Sequence, residues 1–429
     1  MGTTLTFRKL HDAVSGRGVA FRSLVKLQPA AGEGTKVFPP TYAGGAYAKE
    51  ARRLPERAEP VDCVLIDSVQ SQANRMEEAL QRAIDDGRLK LPLLEVDFGP
   101  FAPDEKKTKG IKLVDPVGKV SSLQVPHRAV DAIFRESLLD GVEFRASDVG
   151  KRIGSVRAQD ATALYEYCPT ALVFGIWDST GPKGGLGAKF ERAMVGEIVG
   201  IDAVFGEKTS SRIDPIIRKN PPVYEARGGG WTVDVSLAVM ETKKGASVPK
   251  PFAKKLSKLN LGNVTPSIDR NDAGEPTGGV TISHAEQTVV LSLPALRRLR
   301  FPRQGQTSRE VDDAARTVLA ALGLCAAALA AEAGLDLRSR CLLWPTEPLT
   351  WQLLGRPGEA PESFVLEADD AIKLLNEAVA QAEKLGLKWH ADQPLTLTPS
   401  DRLLSVVIES QNKAVKEGDE KGTGEEGGE

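Results

Sequence analysis

The sequence predicts an α+β fold, and three observations carry that expectation. A short apolar run, Val61 to Ile66, leads directly into an amphipathic helical pattern that ends at Gly87. Alternating runs elsewhere, such as Val19 to Gln28, have the period of two that marks a half-buried strand. The last third carries long helical patterns, Thr307 to Gly334 and Phe364 to Gly386. With 429 residues and 41% hydrophobic content, the chain is long enough for a large core and for more than one domain.

Taken in order, Val19 to Gln28 (VAFRSLVKLQ) reads as a strand with Arg22 and Lys26 on its polar side. A Gly/Pro-rich connection follows, with Lys36, Arg52, Arg53 and Arg57 set among Tyr42 and Tyr47. The Val61 to Gly87 unit comes next. Asp67 or Ser68 supplies the cap, and Gln70 stands three residues after Asp67, as a capping box requires. Val69, Ala73, Met76, Leu80 and Ala83 then form one apolar helix face, and Gly87 suits the left-handed position after the last turn. Ser68, Gln70, Ser71, Gln72, Asn74 and Arg75 fill the positions the apolar stripe leaves free. Free N–H groups and the positive dipole end attract anions, so hydroxyls, amides and one Arg there suit a phosphodiester backbone. A capped, solvated helix accounts for the same spacing.

Leu91 to Phe98 and Val120 to Val125 read as strands flanking an exposed, Lys-rich excursion, and PHRAVDAIFRESLLDG reads as a helix stopped by Gly141. On that helix Arg128, Asp131 and Arg135 share a face; Asp131 suits an internal ion pair, leaving Arg128 and Arg135 as candidate contacts. Thr162 to Trp177 reads as a helix end, a turn and a buried strand. The segment DSTGPKGGLGAKFERAMVGEIVG then sets a glycine-rich loop before an expected helix. Gly184 and Gly185 allow close backbone approach, and Lys183, Lys189 and Arg192 add positive charge, a composition able to cradle phosphate. The spacing fits neither a P-loop nor a dinucleotide fingerprint.

Trp231 to Met240 reads as a strand. Between Thr242 and Leu259 lie Lys243, Lys244, Lys250, Lys254, Lys255 and Lys258 with no acidic residue, a run that is either a solvated loop or a counterion-releasing contact for nucleic acid. Gly278 and Gly279 suit a hairpin turn before strands at Val280 to Ser283 and Val289 to Leu293. Leu404 to Lys416 reads as a last helix, and residues 416–429, acidic and Gly-rich, as a disordered tail.

Charge is nearly balanced, with 56 Lys plus Arg against 58 Asp plus Glu, so any basic surface must be local. Four widely spaced Cys form no CxxC pair, which argues against a disulfide framework or zinc ribbon. The N-terminal stretch lacks the apolar core of a signal peptide, and Thr317 to Ala331 is too short an apolar run to span a bilayer, so a cytoplasmic setting and no membrane are expected. None of the four His pairs with another at metal-ligand spacing, and no HExxH or G-x-S-x-G is present. No catalytic residue, metal or cofactor is expected.

DSVQSQANRMEEAL resembles the first-helix motif of the crRNA-binding backbone subunits of type I CRISPR Cascade complexes, in particular those of type I-G, formerly I-U, within the RAMP superfamily. Ser71 and Gln72 match the Ser-Gln pair of related branches and Arg75 one basic position, while Asn74 stands where other branches often carry Lys. KVFPPTY, the PHR segment and NLGNVTPSIDRNDAGEPTGGVTISHAEQTVVLSLPALRRLRF are similar to the same family. The resemblance implies an RRM-like (ferredoxin-like) antiparallel sheet palm with inserted thumb and finger segments, candidates being Phe98 to Lys119 and Gly206 to Gly230. It implies a core over residues 1–300 and a mainly helical part at 301–415 completing it. It further implies a non-enzymatic subunit that polymerises along crRNA, touches target DNA through the guide, and joins further copies of itself and the large, small and crRNA-processing subunits. The RNA-binding set is then Arg22, Lys26, Ser68, Gln70, Ser71, Gln72, Asn74, Arg75, Arg128, Arg135, Lys183, Gly184, Gly185, Lys189, Arg192, Lys254 and Lys255. The alternative within the superfamily is a metal-dependent endoribonuclease using Asp67 or Asp178; a scaffold or small-molecule protein is the third reading.

Overall fold

The computed structural model describes residues 4–55, 57–103, 111–181, 187–243, 245–252, 256–356 and 358–423. It is an α+β fold built on a nine-stranded antiparallel sheet: β1 (Ala20–Pro29), β2 (Lys49–Arg52), β3 (Val61–Asp67), β4 (Met194–Ile201), β5 (His284–Ser292), β6 (Leu335–Asp336), β7 (Leu342–Pro345), β8 (Trp351–Leu354) and β9 (Glu362–Phe364). Their order is β2–β3–β4–β5–β1–β7–β6. β8 pairs the first half of β1 on the edge where β7 takes the last part, and β9 lies beyond β8.

Alternation along β1 decides the two faces. Phe21, Ser23, Val25 and Leu27 are buried, whereas Leu24 and Lys26 are exposed and Arg22 is half-exposed. The buried face carries α1 (Phe7–Ser15), α2 (Val69–Asp85), α3 (Arg309–Glu332) and α4 (Ala368–Lys384). The 24-residue α3 is long and apolar enough to cross a membrane by composition, but 89% of its apolar window is buried within the fold. It packs against α4, α2 and α1, and its run of Ala lets those helices approach closely. A smaller sheet, in the order Lys119–Ser121, Leu94–Asp97, Leu395–Pro399, Ser137–Leu139 and Val142–Glu143, lies beside the large one; its second and third strands run parallel. The last helix, α5 (Asp401–Thr423), runs past Lys416, where the sequence suggested a tail.

Three sequence expectations are corrected. The single helix expected over 126–141 is a 3-10 turn Arg128–Val130, a four-residue helix Ala132–Arg135 and the strand Ser137–Leu139. Arg128 takes φ 48, and the Asp131 carboxylate accepts from the backbone N–H groups of His127 and Ile133, a side-chain alternative to helical pairing. The helix expected after the glycine-rich loop is instead β4. Gly196 and Gly200 disfavour a helix, and Val195, Ile198, Val199 and Ile201 suit a pleated surface. Trp231 to Met240 is not one strand: Asp234 accepts from Ser236 N–H and starts a one-turn helix, Val235–Leu237, between two short strands. Between β4 and β5 the chain leaves the sheet as a long excursion, whose stem pairs Lys208–Arg212 with Val264–Asp269.

Candidate functional site

Ser68 caps α2, its hydroxyl accepting from the Ser71 N–H at 3.3 Å. The Asp67–Gln70 capping box is therefore not formed. Asp67, at the end of β3 and wholly buried, has a different role. Its carboxylate accepts from Ser71 Oγ at 2.8 Å, Gln72 Nε2 at 2.6 Å, Arg75 Nε at 3.0 Å and Arg338 Nη2 at 3.2 Å. Arg75 also donates to the Leu337 carbonyl at 2.7 Å, and Arg338 to that of Ile66 at 2.9 Å. Gln72 accepts from Gln287 Nε2 of β5 at 2.8 Å. A β-bulge in the β3–β4 pairing lies beside this residue, between Ile198 and Val199.

The Ser-Gln-Arg motif thus satisfies a buried charge. Gln72 is 2% exposed and offers no surface; Ser71 and Arg75 are half-buried and tied inward. Gln70 and Asn74, by contrast, are exposed on the outer side of the first turns. Asn74 borders a groove with Glu78, Gln81 and Arg82 on α2 and Gln124 opposite.

Arg128 is corrected outright as an RNA contact. It is 5% exposed, donates to Glu77 of α2 at 2.7 and 2.6 Å and to the Gly175 carbonyl at 3.0 Å, so its donors are committed inside the fold. Burial pushes the Glu77 carboxyl up to about 6 against the pull of Arg128 and Arg192. Arg135 remains at the surface, its Nη1 reaching Thr180 Oγ1 at 2.8 Å and its Nε meeting Glu136 at 3.0 Å. Lys189 and Arg192 are exposed, with no carboxylate partner among the described residues. Partial desolvation and the neighbouring charge of Arg128 lower the pKa of Arg192, a setting that an incoming anion would relieve.

Arg22 and Lys26 lie on the sheet face opposite the helices, away from α2; Arg22 donates to Gln352 at 2.7 Å. Lys183, Gly184, Gly185, Lys254 and Lys255 lie outside the described residues. What remains near the base of the glycine-rich segment is Lys189 and Arg192 at one strand end and, around the neighbouring cleft, Arg135 with Arg145 and Lys151, which sequence reading did not single out. Arg145 and Lys151 rim a cleft of about 210 Å³ whose walls include Val130, Phe144 and Ile153. Asp178, also at this cleft, is 3% exposed and held by Arg145 at 2.9 Å. Among the described residues no group of three or more His, Cys, Asp or Glu stands close enough to hold a metal ion.

Residues 22–204 match the model of a CRISPR-associated protein family. The model that matches is described as that of CRISPR-associated protein GSU0053. The matched segment contains β1 from Arg22 onward, β2 to β4, α2 and the cations Arg135, Arg145, Lys151, Lys189 and Arg192. No curated protein matches the sequence. A crystal structure of Csc2 from Thermofilum pendens is similar at 12% identity, covering 96% of this chain and 92% of that one, with a TM-score of 0.25; so loose a superposition says nothing about residue roles.

Proposed function

We propose that this chain is a non-enzymatic crRNA-binding subunit of a type I-G Cascade complex, polymerising along the guide in the cytoplasm. The observation that carries the reading is the family match over residues 22–204, because that segment holds the cations left without carboxylate partners, Lys189 and Arg192, together with the exposed Gln70 and Asn74. Backbone contacts of this kind ignore base identity, which suits a guide whose sequence varies while base pairing reads the target.

The strand order supports an RRM-like palm. If β1, β4, β5 and β7 are its four strands, with α2 preceding β4 and α3 preceding β7, the order β7–β1–β5–β4 is fourth, first, third, second, as in a split βαβ fold. β2 and β3 extend the β4 edge. The excursion between β4 and β5 is then the thumb, with the large, small and crRNA-processing subunits and further copies as partners. Both candidate nucleases' carboxylates, Asp67 and Asp178, are buried and engaged by arginines, which favours binding over cleavage.

Incubation of the purified chain with labelled crRNA and Mg²⁺ tests this. RNA retained uncut supports the reading; RNA cut by wild type and spared by Asp178→Ala overturns it in favour of a ribonuclease.

A further inference from the structure

We infer that Trp177 is a stacking platform for one unpaired base of a single-stranded RNA, a contact that deepens the proposed function and rests on it. Trp177 and Lys189 are paired across the two-residue strands Ile176–Trp177 and Lys189–Phe190, which close the glycine-rich segment at its base. Ile176 and Phe190 turn inward and are buried, whereas the indole of Trp177 is 57% exposed. A large aromatic ring left in water on a short stem calls for an occupant.

The pedestal beneath it is rigid. Gly175, at φ +82, leaves room for the Phe190 carbonyl, which would stand 2.8 Å from any Cβ there. Asp178, the next residue, donates its N–H to the Ala188 carbonyl at 2.8 Å and pairs with Arg145 at 2.9 Å. An aromatic ring fixed before binding has little entropy left to lose.

The surroundings select the class of ligand. The Lys189 ammonium lies 5.5 Å from the indole centroid, Arg192 is three residues further on, and Arg135 reaches Thr180 just beyond Asp178. A ring beside Lys189 and Arg192, neither of which has a carboxylate partner among the described residues, matches a base with its flanking phosphates, and stacking tolerates any base because all have a π-face. An apolar protein partner would gain nothing from the cations around it. Stacking therefore adds affinity without adding sequence preference, as a variable guide requires.

The test uses the full-length chain and a fluorescein-labelled single-stranded RNA of arbitrary sequence, with the same strand annealed to its complement as comparison. Trp177→Ala is expected to raise Kd for the single strand about tenfold, the size of one lost base–aromatic stack, and to leave duplex affinity unchanged. Trp177→Phe should recover most of the loss. Trp344→Ala, removing an indole 60% exposed on the far sheet face, should behave as wild type. Equal affinities for Trp177→Ala and wild type overturn the stacking assignment while leaving the RNA-binding reading intact. An equal loss for single strand and duplex overturns it as well, and a wild-type chain that binds no RNA overturns both.

Discussion

The Asp67 carboxylate and the Arg338 guanidinium meet at 3.2 Å, joining the end of β3 to the loop before β7 across 271 residues. Together with Arg75 at 3.0 Å, this brackets a charge that has no access to water. The helix motif most suggestive of RNA therefore has a first duty inside the protein.

Asp67→Ala should accordingly destabilise the fold by about 3 kcal/mol, because removing one partner strands the others while their burial persists. Arg75 and Arg338 are each about a quarter exposed, which keeps the loss at the lower end of that principle's range. A urea titration checks it: a lowered midpoint at unchanged slope is the expected outcome, and an unchanged midpoint contradicts the network's role.

Motif residues that face outward should separate from those that face inward. Gln70→Ala/Asn74→Ala is expected to weaken crRNA binding several-fold at wild-type stability, since both side chains are exposed and neither joins the Asp67 network. Ser71→Ala/Gln72→Ala should instead lower the melting temperature. Parallel binding isotherms and melts distinguish the two pairs; if the outward pair leaves affinity unchanged, the start of α2 is structural only.

Glu77 makes stability pH-dependent in a known direction. Its folded pKa, about 6, lies above the ordinary glutamate value of 4.5, so between those values the folded chain keeps a proton the unfolded chain has released. Glu77's contribution is thus complete below about 4.5 and is lost as pH rises through about 6, a change of about 2 kcal/mol at 1.36 kcal/mol per pKa unit. Chemical denaturation of wild type and Glu77→Gln from pH 4 to 7 should show the wild type losing stability relative to the variant as pH rises. A constant difference would remove Glu77 as the titrating group.

How much of this was legible in the sequence depends on how local each cause is. The β3–α2 unit was readable because an apolar run, a cap and a period of 3.6 all lie within one stretch, and Gly87 does take φ +71 after the last turn. β4 is not legible locally, because the glycine-rich stretch before it has the composition of a helix-opening loop and only Gly196 and Gly200 oppose a helix. Arg338 had no local signal, since what it neutralises lies far away in the chain. Arg128 looked like a surface cation because an expected helix put it beside Arg135; its positive φ and its pairing with Glu77 are tertiary facts. Trp177 was visible as a residue but not as a platform, because exposure of an aromatic in an apolar run follows only from the hairpin pairing.

The cations beside Trp177 should be measurable by salt. For single strands, the logarithm of affinity falls with log salt by about 0.7 per phosphate neutralised. Lys189→Ala/Arg192→Ala should therefore flatten that slope by about 1.4 if each cation meets one phosphate. Affinity reduced equally at every salt concentration, with the slope intact, would mean that neither residue contacts the backbone.

The excursion between β4 and β5 carries the last prediction. Near its stem, Asp214 accepts the N–H groups of Ile216 at 3.0 Å, Ile217 at 2.9 Å and Gly262 at 2.7 Å, and donates its own to Asn263 at 2.9 Å. This network fixes a turn that holds Ile213 and Ile216 out at 90% and 83% exposure. Two isoleucines so presented suit contact with a further copy on the same guide, where burial of each contributes about 1.5–3 kcal/mol. Ile213→Asn/Ile216→Asn should therefore weaken each copy-to-copy contact by upward of about 100-fold while leaving the binding of one copy to a short RNA unchanged. Mass photometry on a long guide reads the result: wild type should build multi-copy assemblies and the variant should remain at one or two copies. Assemblies of equal length from both proteins would exclude this turn from the interface.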